Sequence, residues 1–347
     1  MVTRFPVRAE TTFGLHWLAL ICSDVQNQEY LRATFREYRS WGATSIKLIT
    51  SPGGDGGWAG KPLGCSEQAF IIALEEGLQP HLRIFGSTHP PFITPEREVM
   101  MNRFKTIALS VIDRYPERFQ EYDYLFAVEP ANEVDVASDE SGGVRPTPEQ
   151  VAIAFIPFAE KTERMGIKPL FPSVGYGGPK DYLSIFRTLG ALDIFEYSGI
   201  AAHPYAGPFP IEPMWPFHPI LLEGTPVTQE EWDSYNPWCW DIGTANPRTR
   251  EYVNMRREQD AEYRSMLSTQ EELYSAYNYG WFTVDWAIWL AQKAGIRDPE
   301  LYLTECGTRR GEMFDTLPRV DPNLHMQYTR DMIVSADANP HVAVTHH

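Results

Sequence analysis

The stretch YLFAVEPANEVDVASD, residues 124–139, opens as an apolar run, Tyr124-Leu125-Phe126-Ala127-Val128, and then sets Glu129, Asn132, Glu133 and Asp135 close together. An apolar run that ends abruptly in polar residues reads as a buried strand emerging at a loop. Seven other runs in the chain share that form: TFGLHWLAL, TSIKLIT, PHLRIFGS, KPLFPSVG, YSGIAAHPY, ELYLTECG and HVAVTHH. Helix-like stretches separate them. Eight such strands alternating with helices predict parallel β-α units and an α/β fold, a (β/α)8 TIM barrel in preference to a doubly wound sheet. Before the seventh run, Phe282, Trp286, Trp289 and Leu290 recur at helical spacing, and Gly295 and Pro299 supply a stop.

One interval is too long. Roughly 100 residues lie between AAHPYAG and LYLTECG, where a plain unit needs about 30. A long aromatic-rich insertion between strands 6 and 7, at about residues 208–280, is expected to fill it, with Trp215, Trp232, Trp238 and Trp240 near its start. The eighth run reaches Thr345-His346-His347 with no helix after it. Residues 1–347 are thus expected to form a single barrel domain whose C-terminal helix is missing. The Gly-rich SPGGDGG (51–57) lacks a following GKS or GKT and reads as a surface loop, not a phosphate cradle.

Composition narrows the partners. With 46 acidic against 30 basic residues, the formal charge of −16 disfavours nucleic acid, an anionic membrane surface or an anionic polysaccharide. Aromatic residues make up 13% of the chain, which suits a large core and stacking on flat ligand faces alike. Cys22, Cys65, Cys239 and Cys306 form no CxxC pair and read as free thiols. No window carries the ~18–20 apolar residues of a membrane span. No signal peptide is visible, so a complete N-terminus would imply a cytoplasmic protein.

In such a barrel, chemistry is carried by residues just beyond the C-terminal ends of the strands. That position selects Asn132 and Glu133 after the fourth strand, His203 and Tyr205 after the sixth, and Glu305 after the seventh. Strands four and seven are nearly opposite in an eight-membered ring, so Glu133 and Glu305 would face one another across its mouth. Two carboxyl groups so placed suit acetal cleavage, in which one donates a proton to the leaving oxygen and the other attacks or stabilises the cationic carbon. His16 and Trp17, ending the first strand, would line the cleft or pack in the core. In the third strand either Arg83 or His89 would face inward. Lys47 reads as barrel interior or a salt-bridge partner. Glu129, followed at once by Pro130, and Asp135 read as structural or solvent-facing.

EPANEVD, AAHPY and LYLTECGT, taken in that order, resemble the strand-end motifs of the clan A glycoside hydrolases, retaining (β/α)8 glycosidases that include the cellulase-like family five. The resemblance spans about residues 11–345. It implies Glu133 as general acid/base, Glu305 as nucleophile, Asn132 as partner of the sugar 2-hydroxyl, and His203 and Tyr205 as supports beside the nucleophile. It further implies an oligo- or polysaccharide substrate and neither cofactor nor metal. The pattern departs at strand three, where a His is usual, and at strand eight, where a Trp is usual. A catalytically inactive carbohydrate-binding barrel is the principal alternative. A metal-dependent hydrolase is disfavoured, because His16, His89 and His203 are the only plausible trio and no HxH ends the first strand.

Overall fold

The computed structural model describes residues 12–16, 28–50, 63–84, 90–118, 123–134, 145–173, 181–204, 282–306, 333–334 and 336–346. The insertion expected at about 208–280 lies outside them. The strands are β1 (Thr12–His16), β2 (Ser45–Thr50), β3 (Gln79–Ile84), β4 (Ala127–Glu129), β5 (Lys168–Phe171), β6 (Gly199–Ala202), β7 (Leu301–Leu303) and β8 (Val342–His346). Each pairs in parallel with its successor in the chain, and β8 pairs with β1 to close the barrel. The helices are α1 (Gln28–Ser40), α2 (Leu63–Glu75), α3 (Pro95–Arg114), α4 (Pro148–Arg164), α5 (Leu183–Leu189) and α6 (Phe282–Ala294). Together they make a TIM-barrel-like α/β fold.

Strand alternation sorts the side chains into two layers, because successive residues point to opposite faces. Ile46, Leu48, Leu82, Ile84, Val128 and Phe171 face outward into the helical ring. There Phe155, Phe171, Phe186 and Phe195 meet edge-to-face or stacked, with ring centroids 5.0–6.4 Å apart. Each such buried ring contributes roughly 1.5–3 kcal/mol by leaving water. Much of the aromatic content therefore builds the core between sheet and helices.

The inward face changes character along its height. Ala127, Leu170, Ala201, Tyr302 and Val344 form an apolar plug inside the barrel. Tyr302 fits only because β6 begins with glycine: a Cβ on Gly199 would stand 2.5 Å from the Tyr302 ring and 2.8 Å from Leu170. On the mouth side of this plug the inward positions include Lys47 on β2, His81 and Arg83 on β3, and Glu129 at the end of β4. Register sets their heights, pairing Lys47 with His81 and Arg83 with Glu129.

Helix ends are fixed by local chemistry. Thr147 and Gln150 form a reciprocal capping box at the start of α4, with Pro148 at its first turn. Thr94 caps α3 by accepting from the Arg97 backbone N–H. Gly295, at φ +106°, ends α6 in the left-handed region that glycine adopts without a side-chain clash. No helix among the described residues is long and apolar enough to cross a membrane.

Candidate active site

The site is founded on two cations buried in the barrel. Lys47 is fully enclosed and Arg83 nearly so, a placement tolerable only if each charge is paired and hydrogen-bonded. Both reach the same atom: Lys47 Nζ lies 3.0 Å and Arg83 Nη1 2.8 Å from Glu305 Oε1. Lys47 Nζ also lies 3.4 Å from Glu129 Oε2. Lys47 thus ties the end of β4 to the residue beyond β7, across the width of the barrel.

Glu129 is the structural half of that tie. Burial by itself would raise its carboxyl, but Lys47, then His203 and His81 in their protonated forms, and Arg83 outweigh it and hold the carboxyl down at about 2. The Ser173 backbone N–H donates to its Oε1 at 3.1 Å. The following segment turns sharply, with Glu133 at φ +34°. For a residue with a Cβ this conformation costs on the order of 1–3 kcal/mol and is kept only where surrounding contacts enforce it.

Two contacts supply that enforcement. Val134 N–H donates to the Ser173 carbonyl at 3.3 Å, fastening the turn to the end of β5. On the other side, Arg97 projects inward from α3 and donates to the Pro130 carbonyl at 3.1 Å and the Phe92 carbonyl at 3.3 Å. Burial pulls the Arg97 guanidinium down to about 10, so the fold sustains a desolvated cation that braces the turn carrying Asn132 and Glu133.

His203 joins the two halves. It follows β6, its side chain is wholly enclosed, and its Nδ1 stands 3.0 Å from Glu133 Oε1 and 3.8 Å from Glu305 Oε2. These two legs cap the separation of the nearest Glu133 and Glu305 oxygens below about 7 Å, the scale on which two carboxyl groups address one reacting centre. The other ring nitrogen, Nε2, is 3.0 Å from the hydroxyl of Thr304, the residue before Glu305. Glu305 itself is largely buried, while Glu133 is more open at the mouth. A fixed imidazole thus lies between one enclosed carboxylate, held by two cations, and one accessible carboxyl group.

Of the residues selected from sequence, Glu133, His203 and Glu305 meet in this cluster, and Asn132 adjoins it on the same turn. The buried Oδ1 of Asn132 has no hydrogen-bond partner among the described residues. Trp17, His89 and Tyr205 lie outside the described residues, as does the His16 side chain, although its backbone belongs to β1. At strand three the inward residue reaching the cluster is Arg83. Among the described residues Glu305 meets Lys47, Arg83 and, at 3.8 Å, His203; Arg309 and Arg310, its sequence neighbours, are outside the described residues. Sequence reasoning gave no role to Thr304 or Arg97. A lone cation in an apolar strand, as in TSIKLIT, does signal a buried pair, but the partner is remote in sequence. Among the described residues no group of three or more His, Cys, Asp or Glu side chains is arranged to hold a metal ion.

No family model matches the chain, and no curated protein matches it. Its fold is similar to that of several solved structures. One is a GH5_18 protein from Bifidobacterium longum subsp. longum, at 10% identity over 97% of this chain and 69% of that one, with a TM-score of 0.48. Another is the alkaline cellulase K catalytic domain, at 14% identity over 97% and 73%, with a TM-score of 0.47. A third is the catalytic domain of a mannanase from Streptomyces sp. SirexAA-E, at 12% identity over 94% and 85%, with a TM-score of 0.42. These neighbours are clan A glycoside hydrolases. At this distance in sequence, the chemistry of the chain is decided by the residues of its own site.

Proposed function

We propose that the protein is a retaining glycoside hydrolase that cleaves the O-glycosidic bonds of a neutral glycan. The observation that carries this reading is the bridge from Glu133 through His203 to Glu305 at the barrel mouth. A nearest-oxygen separation below about 7 Å admits the ~5–5.5 Å carboxyl spacing of double displacement.

In the first step Glu305 attacks the anomeric carbon and the bond to the glycosidic oxygen breaks. Glu133 gives its proton to that departing oxygen. In the second, water attacks the same carbon, the ester to Glu305 breaks, and Glu133 takes the water's proton. Lys47 and Arg83 hold Glu305 in one orientation and stabilise its charge when the ester breaks, without reorganising at the moment of reaction. Asn132, half-buried beside Glu133 on the same turn, is the residue offered to a sugar hydroxyl. The overall charge of −16 favours a neutral sugar over a uronate.

The test is hydrolysis of neutral aryl glycosides by the wild type, Glu305→Ala and Glu133→Ala. Glu305→Ala should lose turnover and regain it with azide, yielding a glycosyl azide of opposite anomeric configuration to the substrate. Glu133→Ala, rescued likewise, should yield one of retained configuration. An unimpaired Glu305→Ala, or a first-formed product of inverted configuration, would overturn the mechanism. Glycan binding without turnover in the wild type would leave the barrel as a carbohydrate-binding protein.

A further inference from the structure

We infer that Thr304 is a positioning residue for the acid/base: its hydroxyl fixes the tautomer of His203 so that Glu133 Oε1 can only accept a hydrogen bond, leaving the catalytic proton to Oε2. The catalytic consequence rests on the glycosidase reading above; the tautomer itself does not.

The inference starts from a buried hydroxyl. Thr304 is completely enclosed, and the hydrogen of a buried hydroxyl needs an acceptor. Among the described residues its Oγ1 has one hydrogen-bond partner, His203 Nε2 at 3.0 Å. Its backbone N–H is already used, donating to the Ala202 carbonyl at 3.0 Å, so the strand holds Thr304 in register with His203. If Nε2 carried a hydrogen, it would donate to Oγ1 and strand the hydroxyl hydrogen in the barrel wall. An unprotonated Nε2 accepts that hydrogen instead. The neutral imidazole then carries its own hydrogen on Nδ1, the atom 3.0 Å from Glu133 Oε1.

The consequence reaches Glu133. An Nδ1–H aimed at Oε1 occupies that oxygen as an acceptor whether the carboxyl group is ionised or neutral. When Glu133 is the acid, its proton must sit on Oε2. The opposite tautomer would invite the Glu133 proton onto Oε1, in a hydrogen bond to a basic Nδ1, and withdraw it from the departing oxygen. A hydroxyl next in sequence to Glu305 thereby governs the proton of the carboxyl group on the opposite side of the barrel. The second ring contact, 3.8 Å from Nδ1 to Glu305 Oε2, is compatible with the same tautomer.

The experiment uses the intact protein with 15N-labelled histidine, the His203 signals being assigned by their loss in His203→Asn. The wild type should show a protonated Nδ1 and an unprotonated Nε2. Thr304→Val, which removes only the hydroxyl, should convert this to a tautomer mixture, and Thr304→Ser should restore it. In kinetics, Thr304→Val should lose roughly ten- to a hundredfold in kcat on alkyl glycosides, up to the lower bound of what a general acid supplies, because Glu133 itself remains. KM should be little changed, and the alkaline limb of the pH profile should move. With a dinitrophenyl leaving group, which needs no proton, kcat/KM, which reports the step that forms the glycosyl ester, should be nearly unchanged. A wild-type Nε2–H tautomer, or a Thr304→Val variant with unaltered tautomer or equal losses on both substrates, would overturn the inference. Absence of turnover in the wild type would overturn the glycosidase reading instead, and the nitrogen spectra would still decide the tautomer.

Discussion

Replacing Glu129 by Gln removes one charge from the fully enclosed end of β4 while retaining an oxygen for the Ser173 N–H. The Glu129 carboxyl titrates at about 2 instead of 4.5, and at about 1.4 kcal/mol per unit its ionised form contributes on the order of 3 kcal/mol to the fold. Lys47 keeps Glu305 as a partner after the substitution, so the loss should stay near that figure and not reach the upper end of what orphaned buried charges cost. Because the folded value is depressed, this stability is complete above the unfolded value and disappears as pH falls from 4.5 to about 2. Urea unfolding at pH 7 should therefore show Glu129→Gln about 3 kcal/mol less stable than the wild type. At pH 3 the difference should shrink to about 1 kcal/mol. A difference below about 1 kcal/mol at pH 7, or one of equal size at both pH values, would refute the claim that Glu129 is a buried, ionised partner of Lys47.

Two further outcomes follow from the geometry. Arg97→Met removes the brace on the Pro130 carbonyl; kcat should fall with KM nearly constant, because the turn bearing Glu133 loosens while the remaining sugar contacts persist, and an unchanged kcat would show the brace to be dispensable. Gly199→Ala places a Cβ 2.5 Å from the Tyr302 ring; overpacking of this kind costs about 1–3 kcal/mol, and a melting temperature equal to that of the wild type would mean the barrel plug yields freely.

What the sequence by itself determined is the order and kind of the elements, and which few residues stand at the strand ends. All eight strands fall on the apolar runs read from sequence, with β3 beginning one residue earlier, at Gln79. These runs are legible because a strand enclosed between barrel interior and helices must be apolar over successive residues, and that demand is local. Glu133, His203 and Glu305 were legible for a related reason: each interrupts such a run where the strand emerges. Tertiary structure decided how they are joined. Lys47 is remote in sequence from Glu305, and nothing near TSIKLIT names its partner; only closure of the ring brings β2 and β7 to face each other. Thr304 reads as an ordinary β-branched strand residue until His203 is placed against it. Arg97 reads as one of many polar residues on a helix until α3 docks beside the Pro130 carbonyl. Pairings of buried charges and hydroxyls are settled by desolvation, which compels each polar group to find whichever partner the assembled barrel places within reach. Sequence alone does not contain that distance.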